Sequence, residues 1–376
     1  MPKALRVAAA WSWRLLVVAG AVAALVWVLR PVSTIIVAVA VALLLAALLA
    51  PLVRWLRRYM GKSFAAAIGL VTGIVLVGGL LALAVDQLVR KAGYLAQEAM
   101  EGVDQAVDWL AERLGPNVQL AEFLGDFQVD LMELLRSNSG TIASGAFSLA
   151  STAVGWVSAG LIGVFALFFY LRDGRAMWVW FLRCLPERAR VSADEAGIRG
   201  WVTLGNYVRT QAQVAAIDAV GIGLGAIILG VPLAAPIAVL VFFGSFIPIV
   251  GAIFTGAVAV FVALVNNGLT SAIIMLVIVL LVQQLESNVL QPWLMSNAVS
   301  LHPLAVVLSV TCGGMIAGIP GAIFAVPLVA FLNVVIMYLH GHDMLPDLAT
   351  DVKRPGGPPG SLEEQISASY RRELPQ

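Results

Sequence analysis

Residues 236–266 read PIAVLVFFGSFIPIVGAIFTGAVAVFVALVN, an uncharged run interrupted midway by Pro248 and Gly251. As one straight helix it would be ~46 Å long at 1.5 Å per residue, against a hydrocarbon core of ~30 Å. Residues 303–339 pose the same problem, with the interruption at Gly318-Ile319-Pro320-Gly321. The two breaks echo each other: Ile247-Pro248-Ile249-Val250-Gly251-Ala252-Ile253-Phe254 stands beside Ile319-Pro320-Gly321-Ala322-Ile323-Phe324. Each broken run follows an unbroken apolar one, 213–230 and 268–285, so the chain reads as two copies of a span followed by a broken helix. If both are re-entrant hairpins they enter from opposite faces, an inverted repeat within 213–339. Kinked single spans would leave the C-terminus on the same side, so topology alone leaves both forms open.

Working outward, Asp218 and Glu286 are the only formally charged residues between Thr210 and Leu339, and Lys and Arg are absent there. The whole chain is 60% hydrophobic and 12% charged, about half the charge of a globular domain. These features predict an all-α polytopic membrane protein of about eight membrane segments. A net charge of +1 gives no footprint for nucleic acid, and the isolated Cys184 and Cys312 support neither a disulfide framework nor a zinc site. No HExxH, P-loop or Gly-x-Ser-x-Gly is present, which argues against an enzyme or an ATP-driven pump; no cofactor is expected.

Runs 15–29 and 32–50, joined at Arg30-Pro31, read as a pair of spans, the first an uncleaved span rather than a signal peptide; 64–85 is the third. Lys3, Arg6, Arg14, Arg54, Arg57, Arg58 and Lys62 assign the N-terminus and the first basic loop to the cytoplasm. From Asp86 to Arg136 ten acidic residues face four basic ones, and apolar residues recur at helical spacing, which predicts an amphipathic layer outside. Span four, about 141–170, carries a small-residue row ending at Gly163 and suited to close helix approach. Seven Arg against four acids then predict cytoplasmic surface helices through 172–209. The resulting partition is a three-span scaffold (1–85), an extracytoplasmic helical segment (86–138), span four with surface helices (139–212), a transport domain (213–345) and a flexible cytoplasmic tail (346–376). The small-residue row and the aromatic segment 175–201 lead to an expected homo-oligomer, with five copies as the working number.

Asp218 falls within the fifth span, where a carboxylate is costly unless paired, hydrated or protonated. Glu286 sits among Gln283, Gln284 and Asn288, an oxygen-rich set suited to a sodium ion or a polyhydroxylated solute. Pro248, Gly251, Pro320 and Gly321 would free backbone groups to line a cavity. His302 opens the last broken run, and His340, His342 and Asp343 resemble a metal site only loosely; all read as interfacial, and no metal is expected.

Four separated motifs carry a family resemblance: Tyr170-Leu171-Arg172-Asp173-Gly174; Phe246-Ile247-Pro248-Ile249-Val250-Gly251; Gln283-Gln284-Leu285-Glu286-Ser287-Asn288-Val289-Leu290-Gln291-Pro292; and Gly318-Ile319-Pro320-Gly321 through Leu328. In order and spacing the chain resembles the autoinducer-2 exporter family of bacterial permeases over about residues 30–345. The resemblance implies an inner-membrane permease, exporting the quorum-sensing signal in some members and exchanging sodium for protons in others. Three functions follow as expectations: a secondary exporter of a small polar solute, a sodium/proton antiporter, and a membrane scaffold without transport.

Overall fold

A computed structural model describes residues 12–14, 16–17, 20, 32–87, 160–290, 292 and 302–373. The expected first span at 15–29 and the acidic segment beyond Gln87 fall almost wholly outside these residues. The described chain is helical, and five of its helices are long and apolar enough to cross a membrane.

α1 (Ser33–Leu56) runs through Pro51 instead of stopping there. Proline has no N–H for the carbonyl four residues back. That carbonyl, on Ala47, lies 3.4 Å from a guanidinium nitrogen of Arg209, which donates in its place. α2 (Lys62–Gln87) and α3 (160–183 in its described part) pack on α1 through Ala42, Ala46, Val53, Ala65, Ala66, Leu167 and Leu171. A Cβ on Gly163 would lie 3.5 Å from the Ala38 carbonyl, so this member of the small-residue row brings α3 close to α1 within one chain. Arg57 ties the α1–α2 turn to α3 by donating to the Leu171 and Arg172 carbonyls.

α4 (Glu187–Ile228) has 42 residues, about 63 Å, and merges what the sequence separates into surface helix and fifth span. No Pro lies between 187 and 228 to stop it. α5 (Ala234–Gly244) follows, then α6 (Val250–Leu285) and a π-helical turn, Glu286–Leu290. α6 is two helices meeting at Gly268, whose φ of 77° lies in the left-handed region. α7 (Pro303–Leu339) is likewise two arms, meeting at Ala317 and Gly318 (φ 63°).

Both broken runs fold back on themselves. A Cβ on Gly251 would overlap the Gly244 carbonyl, and one on Gly313 would lie 2.8 Å from the Ala325 Cβ. In a straight helix those pairs stand about 10 and 18 Å apart along the axis, so the contacts require reversals. The first hairpin is therefore α5 plus the first arm of α6, and the second is α7. With 11 residues, α5 is about 16 Å long, half the hydrocarbon thickness, and cannot cross it.

Contacts along α4 give the direction of each hairpin. Near its start, Arg199 meets Asp343 and Gly200 backs onto Phe331, both at the base of the second hairpin. Tyr207 packs with Val310, Ala322 and Val326, higher on the same hairpin. Gln211 and Asp218 then meet Ser245 at the tip of the first hairpin. At the far end Asn267 donates to the Leu229 carbonyl at 2.8 Å, at the base of the first. The hairpins thus enter from opposite ends of α4, the inverted arrangement open in the sequence.

Beyond α7 the chain docks instead of trailing free as expected. Arg354 is 5% exposed, and Leu362 and Ile366 of α8 (Leu362–Glu373) are buried with Val179 and Leu182 of α3. The Pro/Gly composition of 355–360 reads as a linker, but the anchors on either side of it are specific side chains with partners far away in sequence.

Candidate functional site

The tips of the hairpins converge on the middle of α4. Ile247, in the first tip, packs against the Val310, Ala322 and Val326 cluster of the second hairpin. The first tip carries an unusual turn: Val250 N–H donates to the Pro248 carbonyl at 2.7 Å, and Ile249 sits at φ 66°, ψ −60°. This is a γ-turn of the rare, strained hand, adopted here by a β-branched residue. Such strain persists only where surrounding contacts over-determine it.

Contacts from α4 reach this tip at Ser245, four residues before Ile249. Gln211, buried, donates its amide to the Ser245 carbonyl at 2.6 Å. The Ser245 hydroxyl lies 3.2 Å from Asp218 Oδ2 and 2.9 Å from the Val241 carbonyl. A hydroxyl has one proton to donate. Directed at Val241, it leaves Ser245 Oγ as an acceptor facing Asp218. Asp218 is 1% exposed, and its Oδ1 is buried with no hydrogen-bond partner among the described residues. A buried carboxylate oxygen without a donor is costly unless the group binds a proton or a cation.

Glu286 belongs to the same place. A ladder down the α4–α6 contact pairs Gly225 with Ile278 and Gly221 with Val282, and one turn further brings Glu286 toward Asp218. The two carboxylates lie within electrostatic reach of each other, and the π-helical turn packs on α4. A π-turn widens the helix by one residue and often marks functional positions.

The other sequence candidates divide. Gln283 is half-buried beside Glu286, whereas Gln284 and Asn288 are exposed and bond to each other at 2.6 Å on another face. Gly251 and Gly321 act as crossing points where backbones touch, so their role is close approach. Pro248 shapes the first tip, while Pro320 opens the second arm of α7, where its missing N–H costs little. His302 accepts from Leu304 N–H as a helix cap. Asp343 accepts from Arg199 at 2.8 and 2.6 Å. Gln211 and Ser245 were not legible as site residues: both are uncharged, and only the fold brings them to Asp218.

Paired broken hairpins entering a helical bundle from opposite ends recur in membrane transport proteins. The AI-2E family transporter profile matches residues 15–341, and the chain belongs to that family. A protein of Mycobacterium tuberculosis, provisionally named a transport protein, is 41% identical over 346 residues, covering 92% of this chain and 94% of its own length. The Escherichia coli K12 protein provisionally named permease PerM is 31% identical over 171 residues, 45% of this chain and 48% of its own length. The Bacillus subtilis protein YrrI, also provisionally named a transport protein, is 29% identical over 176 residues, about half of each chain. Family and relatives together indicate a multi-pass membrane transport protein.

Proposed function

We propose that the protein is a secondary exporter of a small polar organic solute, driven by cation or proton exchange at Asp218 and Glu286. The observation that carries this reading is Asp218 Oδ1, without a hydrogen-bond partner among the described residues and buried at the point where a strained hairpin tip meets α4. Two carboxylates in a segment without Lys or Arg attract a cation or share a proton. Occupancy there alters what Ser245 accepts or donates and so the seating of the first tip. Solute passes between the two tips, each of which closes the path from one side, and alternating access follows from moving one hairpin against α4. The same carboxylate pair supports a second reading, cation/proton antiport without a solute.

The basic clusters support a bacterial inner-membrane reading with both termini and the Arg199 end of α4 in the cytoplasm. Labelling single cysteines from outside checks this: reaction at Gln97 but not at Lys62 is expected, and the reverse overturns it.

Reconstituted flux separates the readings. Labelled polyols and furanose-type solutes are expected to move in proteoliposomes under a sodium or pH gradient, at least tenfold more slowly in Glu286→Gln and Asp218→Asn at equal abundance. Sodium or proton flux without any solute flux favours the antiporter. Wild-type flux in both variants removes carboxylate coupling.

A further inference from the structure

Four charged side chains form a network at the start of α4, away from the hairpin tips. Arg354 donates to Glu195 at 2.5 and 2.8 Å, Arg199 donates to Glu195 at 2.7 Å, and Arg199 reaches Asp343 at 2.6 and 2.8 Å. Arg199 is 1% exposed and also covers the Tyr338 ring at 4.1 Å. Asp343 and Tyr338 belong to the base of the second hairpin, and Arg354 to the segment that follows it. Glu195 is divided between two guanidiniums and Arg199 between two carboxylates. The set is neutral only with all four in place.

The segment 346–373 makes further specific contacts. Arg354 also donates to the Leu348 and Gly357 carbonyls. Gln365 accepts from Arg175, which holds Asp194 by two bonds, and Arg183 lies 3.9 Å over the Tyr370 ring. Leu362 and Ile366 close onto Val179 and Leu182. The family match ends at 341, so this docked segment lies outside the matched body while contacting it through the Arg354–Glu195 ion pair and the contacts of Gln365, Tyr370, Leu362 and Ile366.

We propose that residues 346–373 are a regulatory strap whose docking holds the base of the second hairpin against α4 through the Arg354–Glu195–Arg199–Asp343 network. Undocking withdraws one positive charge from a set whose guanidiniums are buried and whose carboxylates are partly exposed, and leaves one guanidinium for two carboxylates. Breaking a buried pair by removing one partner strands the other charge. Glu195 then competes with Asp343 for Arg199, water enters, and the hairpin base loosens. Burial of Leu362 and Ile366 opposes this, so strap and hairpin are linked through a shared set of contacts.

Amide hydrogen exchange on the full chain tests the linkage. Arg354→Gln is expected to speed exchange several-fold both in 346–373 and in 330–345, with 234–267 unchanged; Arg354→Lys, which keeps the charge but not the bidentate geometry, restores part of the protection. Leu362→Asp releases α8 without touching the network and is expected to produce the same pattern. Faster exchange in the tail alone, in either variant, overturns the proposal. Should Arg354→Gln raise exchange throughout the chain, Leu362→Asp decides on the same criterion. Any effect of the strap on transport rests on the hairpin reading above. The exchange result does not, so the two fail separately.

Discussion

At the crossing of the first hairpin Gly251 lies against the Gly244 carbonyl; at the crossing of the second Gly321 lies against the Gly313 carbonyl. In each, the residue four positions on, Thr255 or Ala325, closes against the opposite glycine. The crossings therefore align on the shared Gly-Ala-Ile-Phe of the sequence echo, with the opposing glycine seven residues back in the first hairpin and eight in the second. The tips do not match. The second turns at Gly318, a residue suited to positive φ. The first turns at Ile249, unsuited to positive φ, and is tied through Ser245 to Gln211 and Asp218 of α4. The comparison teaches that one packing solution has been given two tips, one relaxed and one strained against a titratable group.

The largest expected effect tests the shared part. Gly251→Val and Gly321→Val each place a side chain on opposing backbone, which cannot rotate away, and should each cost about 3 kcal/mol, at the upper end for overpacking. Thermal unfolding in detergent measures this, and tolerance at one crossing but not the other breaks the equivalence. A smaller effect separates the tips. Gly318→Ala forces a side chain into a glycine-only region and should cost about 1–2 kcal/mol. Ile249→Gly should change stability by less than about 1 kcal/mol, because relief of strain offsets the added freedom of the unfolded chain. A loss above about 2 kcal/mol there would show that the Ile249 side chain matters more than its backbone.

The smallest effect is acid dependence at the base of the second hairpin. Hydrogen bonds from Arg199 hold the Asp343 carboxyl below the ordinary carboxylate range. A depressed folded-state pKa means stabilisation that is complete above about pH 4 and lost only as pH falls through the folded value. The difference in melting temperature between wild type and Asp343→Asn should stay constant from pH 7 to 5 and shrink below about 4. Shrinkage already at pH 6 would mean the pair is not formed.

Much of this was legible because Gly and Pro punctuate long apolar runs. The lengths of 236–266 and 303–339 demanded breaks, and the breaks were located within a few residues: the first tip spans 245–249 and the second turns at Gly318. Asp218 stood out because a lone acid in an apolar run has few structural uses. What could not be read depends on pairings across the fold. Arg354 and Glu195 are 159 residues apart, and nothing local marks either as a partner. The continuity of α4 was hidden because polar residues at 209–213 resemble a membrane boundary, although they are compatible with helix.

From Thr210 to Leu339 the chain holds two carboxylates and no Lys or Arg. Asp218 lies ten residues, about 15 Å, from the Ile228 end of α4. On the proposed reading, a proton or metal ion arriving at this pair carries net charge partway through the electric field of an energised membrane. Full transit of one charge is worth ~2.3 kcal/mol per 100 mV. Membrane voltage then acts on occupancy of the pair, as a driving force separate from any concentration gradient, with a sign set by the charge that moves and the polarity of the membrane.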